Sequence, residues 1–161
     1  MNLFSFCQKI KYRLKAKSRH GVHSPFVFDF IEKVLNGKTL AGKSVVPERS
    51  NLPERQRIIV DRICNYYGVN SLCFGNQNRI LVNDKSIPVL YVYTESSELR
   101  FPYQENDIVV VLDINSAENK FREWTGLCQN QEVKLSIDIF EMGILFFRKD
   151  FLVKQHFILK Y

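Results

Sequence analysis

The amino-acid sequence predicts an α/β protein with a reduced Rossmann-like sheet that is mostly parallel, ends in an antiparallel C-terminal hairpin and is preceded by helices. Three patterns support this class. Apolar residues recur at helical spacing up to residue 68. Segments 87–94 (IPVLYVYT) and 107–114 (DIVVVLDI) are nearly continuous apolar runs, typical of strands covered on both faces in a parallel sheet. From residue 133 onward, the chain is rich in strand-forming residues.

The chain has 161 residues, the length of one domain. We divide it into a helical segment, 1–68, and an α/β core, 69–161. The first predicted helix covers 3–16 and carries an apolar stripe that we expect to dock on the sheet or on a second subunit. The stripe consists of Leu3, Phe4, Phe6, Cys7, Ile10 and Leu14, and the cations at positions 9, 11, 13, 15 and 17 are expected to face solvent.

Two further helices precede the sheet. One is predicted over 25–36, because Ser24 is a good N-cap, Pro25 suits the first helical position and Gly37 is a stop signal. The next is predicted from Asn51 or Pro53 to Gly68. Its buried side chains are expected to be Ile58, Ile59, Ile63 and Cys64.

The core is predicted to alternate strands with one helix. Strands are expected at 70–74, 79–83, 87–94, 107–114, 133–140, 143–148 and 156–161, with Glu141-Met142-Gly143 as the hairpin turn. The helix is expected at 116–129, presenting Phe121, Trp124, Leu127 and Cys128.

Charge is concentrated at the front of the chain. Residues 1–43 hold nine Lys and Arg and two acidic residues, so this segment has a net charge of +7, whereas the whole chain has a net charge of +6. Such asymmetry is compatible with a nucleic-acid-binding segment, a membrane-surface helix or a solvated helix face. Tyr12 is the one aromatic residue among these helical cations, which weakens the case for single-strand stacking. The residues of this possible interaction surface are Lys11, Lys15, Arg19, His20 and His23.

No metal site is predicted. His20 and His23 lack a third ligand at suitable spacing, so a tight turn packed on Phe26 or Phe28 is the simpler interpretation. The four cysteines are widely separated and form no C-x-x-C pair. With no run of ~20 apolar residues and no signal-peptide pattern, we expect a cytoplasmic protein with reduced thiols.

Two residues stand where strands of an α/β sheet end. Gly75 follows the short apolar run 71–74, and Asp113 follows the apolar run 108–112. Ligands gather at the carboxyl ends of strands in such sheets, so Asp113 is a candidate for binding a metal, accepting a proton or orienting a substrate. Capping the helix that starts near Ser116 is an equally good interpretation.

Three segments resemble a known family. Residues 16–36 (AKSRHGVHSPFVFDFIEKVLN) and 133–161 resemble the two ends of bacterial class I S-adenosylmethionine-dependent methyltransferases of the O-methyltransferase-like type. Segment 106–127 (NDIVVVLDINSAENKFREWTGL) resembles that family's fourth strand and following helix. The resemblance implies a Rossmann-like fold and an S-adenosylmethionine site.

The middle of the chain departs from the family pattern. Gly75 alone stands where the family has an E-x-G-x-x-x-G turn, and Asp84 is the nearest candidate for the carboxylate that holds the ribose. Leu112-Asp113 replaces an Asp-Asp pair, and Asn115 stands where a histidine is common. We therefore treat Gly75, Asp84 and Asp113 as vestiges, and expect no catalytic residue and no bound cofactor.

Three functional hypotheses follow. The leading one is a methyltransferase-like protein that has lost S-adenosylmethionine binding and catalysis and acts as a binding or partner subunit, through self-association or with a full-length methyltransferase relative. The second is an active S-adenosylmethionine-dependent methyltransferase with a remodelled pocket. The third is a small nucleic-acid-associated module that uses its basic front.

Overall fold

The computed structural model describes residues 3–37, 52–75, 87–95 and 99–161. These residues form a six-stranded sheet with the order β1-β2-β3-β5-β4-β6. The strands are β1 Ser71–Phe74, β2 Val89–Tyr93, β3 Ile108–Leu112, β4 Leu135–Asp138, β5 Met142–Phe146 and β6 Gln155–Ile158. Strand β5 is antiparallel to both of its neighbours, β3 and β4, and the other pairings are parallel. The predicted fold class is confirmed, whereas the predicted strand 79–83 lies outside the described residues.

Four α-helices accompany the sheet in the described part of the chain. They are α1 Leu3–Lys15, α2 Pro25–Phe30, α3 Glu54–Tyr67 and α4 Glu118–Gln129. Helix α3 ends as predicted at Gly68, which adopts the left-handed conformation with φ +66° and donates its N–H to the Cys64 carbonyl.

The second helix differs from its prediction. Ser24 caps it as expected, accepting from the Val27 N–H at 3.5 Å. After Phe30, however, the helix widens into a π-helical segment, Ile31–Leu35, instead of continuing as an α-helix, and its C-cap residue, Asn36, directly precedes the predicted stop at Gly37. Arg62 of α3 donates to the carbonyl oxygens of Val34 and Leu35 at 3.2 and 2.8 Å. Carbonyl oxygens at the end of a helix need hydrogen-bond donors from outside the helix, and Arg62 is the donor for both of these.

The neighbouring interior strands β2 and β3 are buried on both faces, as their apolar sequences predict. Every residue of β2 and β3 is buried. One face of the sheet packs with α2, the π-helical segment and α3 through residues such as Phe30 and Ile63. The other face packs with α4 and segment 99–103 through Trp124 and Tyr103. The sheet therefore separates two apolar layers.

The hairpin turn lies earlier than the sequence predicts. Strand β4 ends at Asp138 and β5 begins at Met142, so residues 139–141 form the turn and Phe140 carries the positive φ of 69°. Gly143 lies inside β5, opposite Val111 and Asp138. The prediction of a turn at 141–143 is wrong because this glycine serves packing: a Cβ at Gly143 would overlap the indole ring of Trp124.

This contact makes Gly143→Ala a test of the packing between β5 and α4. Because Trp124 is only 2% exposed, the ring has little room to move. We expect Gly143→Ala to lower the free energy of unfolding by about 1–3 kcal/mol. Gly126→Ala is the matched control, since no atom lies within 4 Å of its added Cβ and alanine favours the helix, for a gain of about 0.5–1 kcal/mol. Urea unfolding of both variants gives the comparison, and equal effects would contradict the assigned contact.

Candidate functional site

The candidate site lies at the edge where five of the six strands have their carboxyl ends. Helix α1 crosses this edge and is fixed to it by aromatic and backbone contacts. The Tyr12 hydroxyl donates to the Leu159 carbonyl, and the Tyr12 and Phe140 rings lie 5.3 Å apart. After the helix, the Lys17 N–H donates to the Ile158 carbonyl at 2.8 Å, which continues the attachment along the end of β6.

Helix α1 docks through the face opposite to the predicted one. Gln8 is buried, and Phe4 and Tyr12 are half-buried, with the Phe4 ring 6.3 Å from that of Phe121 in α4. The outward stripe consists of Leu3, Phe6, Cys7, Ile10 and Leu14, all of them exposed. Of the six residues of the predicted stripe, Phe4 alone is half-buried; the prediction that the stripe docks on the chain's own sheet is wrong for the other five, and docking on a second subunit stays a prediction. The cations at positions 9, 11, 13, 15 and 17 are exposed, as predicted.

A buried carboxyl, Asp138, lies beneath α1 at the end of β4. Burial raises its pKa to about 6, against the opposing effect of hydrogen bonds from the Phe140 N–H, Asn115 and Trp124. The Phe140 N–H donates to Asp138 Oδ1 at 2.7 Å, and Asn115 Nδ2 donates to the Phe140 carbonyl at 3.0 Å. The tight turn after β4 is therefore held by side chains from two strand ends.

Burial also acts on Tyr12. It raises the pKa of the phenol to about 12, with the nearby Asp138 carboxylate as the second cause. A phenol that stays protonated at neutral pH remains a hydrogen-bond donor, which suits its contact with Leu159.

A serine–histidine contact lies further along β4 and has a structural explanation. Ser136 Oγ lies 2.8 Å from His156 Nδ1, and the two residues are direct cross-strand partners on β4 and β6. Cys128 lies nearby on α4, where burial raises the pKa of its thiol to about 11. A thiol protonated at neutral pH is a poor nucleophile, so this group does not form an activated cysteine site.

The predicted cofactor residues are engaged within the chain. Gly75 has φ +60° and donates its N–H to the Val92 carbonyl at 2.8 Å. Asp113 has φ +55°, donates its N–H to the Glu141 carbonyl and accepts from Gln56 Nε2 at 3.1 Å. Its carboxylate does not cap α4, because Ala117 is the N-cap residue of that helix. Asp84 lies outside the described residues.

Two clefts lie on either side of the Tyr12 side chain. The larger, of about 630 Å³, is lined by Lys9, Tyr12, Arg13, Arg55, Ile139, Phe140, Glu141, Lys160 and Tyr161. The smaller, of about 260 Å³, is lined by Gln8, Lys11, Tyr12, Lys15, Asn115, Phe121, Asp138 and Ile158. The side chains that line the larger cleft include four basic ones and one acidic one, Glu141, which pairs with Arg55 at 3.2 Å. Its charge therefore favours an anionic ligand.

The predicted interaction residues do not all come together. Lys11 and Lys15 line the smaller cleft, whereas Arg19 and His20 belong to a 3₁₀ turn, Arg19–Gly21. Arg19 pairs with Glu32 at 3.2 Å and donates to His20 Nε2 at 3.3 Å. Together with exposed His23, these turn residues line neither cleft. Among the described residues, no group of three or more His, Cys, Asp or Glu is placed to hold a metal ion.

Sequence reasoning missed several residues of this edge. Arg55 and Lys160 come from distant parts of the chain, and no local pattern connects them with α1. Asp138 follows the apolar residues of β4 as Asp113 follows those of β3, so the rule that selected Asp113 applies equally to it.

The fold and its carboxyl edge define an α/β protein with a mixed Rossmann-like sheet and a basic cleft beside the N-terminal helix. Comparison of the chain with protein-family models, curated proteins and solved structures found no match. Within the described residues, no helix has the length and apolar character needed to cross a membrane.

The raised pKa of Asp138 predicts a pH effect on stability. The folded pKa of about 6 exceeds the ordinary value of 3.8, so the native state binds the proton more tightly. The parent should therefore lose stability as pH rises from about 4 to 6, by up to about 3 kcal/mol from this group. Asp138→Asn keeps an acceptor and removes the titration, so its stability relative to the parent should increase over that interval. Urea unfolding at pH 4 and 7.5, with surface Glu132→Gln as control, measures the difference; a gap that does not change with pH would contradict it.

The docking face of α1 can be tested with two neighbouring residues. Tyr12→Ala removes the contact with Phe140 and the hydrogen bond to Leu159, and should cost about 2–4 kcal/mol of unfolding free energy. Leu14→Ala alters a side chain that is 82% exposed, and should change stability by no more than about 0.5 kcal/mol. Thermal and urea unfolding should separate the two variants, and the reverse order would mean that the helix docks through its apolar stripe.

Proposed function

We propose that this chain is a methyltransferase-like binding or partner subunit that has lost S-adenosylmethionine binding and catalysis. The observation that carries the proposal is that the residues corresponding to the family's cofactor motifs already have partners within the chain. The Gly75 amide binds Val92, the Asp113 carboxylate binds Gln56, and the Asn115 amide binds Phe140. A ligand that used these groups would have to replace these hydrogen bonds, and for the buried Asn115 amide the loss of its partner costs about 1–3 kcal/mol.

The charge of the edge gives a second argument. The sulfonium centre and the amino group of S-adenosylmethionine are cationic. The larger cleft is lined by Lys9, Arg13, Arg55 and Lys160, which repel such groups. The single acidic side chain there, Glu141, is already paired with Arg55.

The proposed partner is a second copy of the chain or a full-length methyltransferase relative. Strand β1 supports this, because among the described strands it pairs with β2 alone, and Ser71, Leu72 and Phe74 are only half-buried. A partner strand or apolar surface against β1 would satisfy a sheet edge. The four free cysteines suit the cytoplasmic location proposed with this function.

Ligand-dependent stability tests the loss of cofactor binding. We expect no shift in the unfolding midpoint with S-adenosylmethionine or S-adenosylhomocysteine at millimolar concentration, because the motif residues are internally bonded. An active enzyme with a remodelled pocket would gain about 2.7 kcal/mol at a ligand concentration 100 times its dissociation constant. Thermal unfolding and titration calorimetry provide the measurements.

Asp113→Asn serves as the control for that experiment. If the parent is stabilised by either ligand and Asp113→Asn is not, the edge is a working cofactor site and the second hypothesis, an active methyltransferase, replaces the proposal. Equal unfolding curves with and without ligand for both proteins support the proposal.

A further inference from the structure

The outward face of α1 is an exposed apolar surface on a helix whose other face is firmly docked. Leu3 and Leu14 are 79% and 82% exposed, and Phe6 and Ile10 are each about half exposed. At 100° per residue, the stripe of Leu3, Phe6, Cys7, Ile10 and Leu14 occupies a sector of roughly 100°, opposite Gln8 and Tyr12. Single exposed apolar side chains are ordinary, but a contiguous row of them indicates a contact surface.

Cations border this stripe on both sides. Lys9 and Arg13 lie on the side of the larger cleft, and Lys11 and Lys15 lie on the side of the smaller one. Helix α1 contains no acidic residue. Long basic side chains beside an apolar row can bury their methylene groups with it while their charged ends reach a neighbouring polar layer.

We propose that α1 is an in-plane anchor that binds the chain to an anionic phospholipid surface. The stripe enters the boundary between headgroups and acyl chains, and the flanking cations contact lipid phosphates. The cleft formed by Lys9, Arg13, Arg55 and Lys160 offers a place for a headgroup phosphate beside the inserted helix. The contacts of Tyr12 with Phe140 and Leu159 connect the anchor rigidly to the sheet.

Charge decides between a membrane and a second copy of the chain as the occupant. Two copies that met through their stripes would bring two helices with four cations each, and no acidic residue, into contact. An anionic lipid layer matches the same pattern with opposite charge. With 13 residues, α1 is about 20 Å long, which suits a helix lying in the interface and is too short for one spanning it. This inference is independent of whether the chain binds S-adenosylmethionine.

Vesicle co-sedimentation of the full chain tests the anchor. The parent should bind vesicles of phosphatidylcholine with one-third phosphatidylserine, bind pure phosphatidylcholine vesicles at least about tenfold less, and lose affinity as salt increases. Ile10→Asp/Leu14→Asp should reduce binding to anionic vesicles more than tenfold while leaving the unfolding curve near that of the parent, since both side chains are exposed. Lys11→Gln/Arg13→Gln should weaken binding roughly fivefold per cation removed.

Leu152→Asp/Val153→Asp is the matched control. These two side chains are 96% and 70% exposed but lie in the loop between β5 and β6, so the variant should bind vesicles like the parent. The proposal is overturned if the parent does not bind anionic vesicles, or if Ile10→Asp/Leu14→Asp binds them as well as the parent. It is also overturned if sedimentation velocity finds a dimer of the parent that this variant dissociates while neither protein binds vesicles.

Discussion

The interior strands of the sheet must be covered on both faces, and most of the structure follows from this requirement. Strands β2 and β3 have no exposed residue, so the chain needs helices above and below them. Helices α2 and α3 cover one face and α4 covers the other. With both faces occupied, α1 lies at the carboxyl edge, where it contacts the hairpin turn, the segment 158–160 and the Phe121 ring of α4. The position of α1 is thus a consequence of how the core is filled.

The same constraint explains the two unusual residues near the hairpin. Trp124 fills the layer between α4 and β5, and Gly143 leaves the space that its ring requires. Because Gly143 lies in the strand, the turn contains no glycine, and Phe140 adopts the left-handed conformation that glycine favours. The strain at Phe140 is offset by hydrogen bonds with Asp138 and Asn115, and by the contact of its ring with Tyr12. Core packing, turn geometry and the docking of α1 are therefore physically connected.

The carboxyl edge combines an internally satisfied polar network with a basic surface. Hydrogen bonds that engage Asp113, Asn115 and Gly75 stabilise the fold, and they also use groups that a cofactor would need. The cations of α1, in contrast, lie at the surface and line two clefts. Each proposal uses one side of this division: the proposed loss of S-adenosylmethionine binding rests on the hydrogen-bonded edge, and the proposed lipid anchor rests on the apolar row of α1 with its basic borders.

The sequence by itself determined the elements that depend on local patterns. The apolar runs at 87–94 and 107–114 predicted the buried strands, and Ser24 and Gly68 predicted helix ends. Spacing predicted a helix over 3–16, within one residue of the observed Leu3–Lys15. Gly75 and Asp113, where the sequence departs from the methyltransferase motifs, also indicated the carboxyl edge of the sheet as the place where a ligand site would lie.

Tertiary structure decided which surfaces meet. An apolar stripe predicts that this face of α1 is buried. In the folded chain, however, the Tyr12 ring packs on Phe140 and the Tyr12 hydroxyl donates to the Leu159 carbonyl. The helix therefore docks through the face of Tyr12, and the stripe faces outward. Likewise, local sequence predicts a turn at Gly143, and only the packing of Trp124 against it explains why this glycine lies in a strand. The pKa of Asp138 is raised because the fold buries its carboxyl group. The physical reason is common to all three cases: periodicity and turn propensity are properties of neighbouring residues, whereas packing, desolvation and charge proximity depend on residues that only the folded chain brings together.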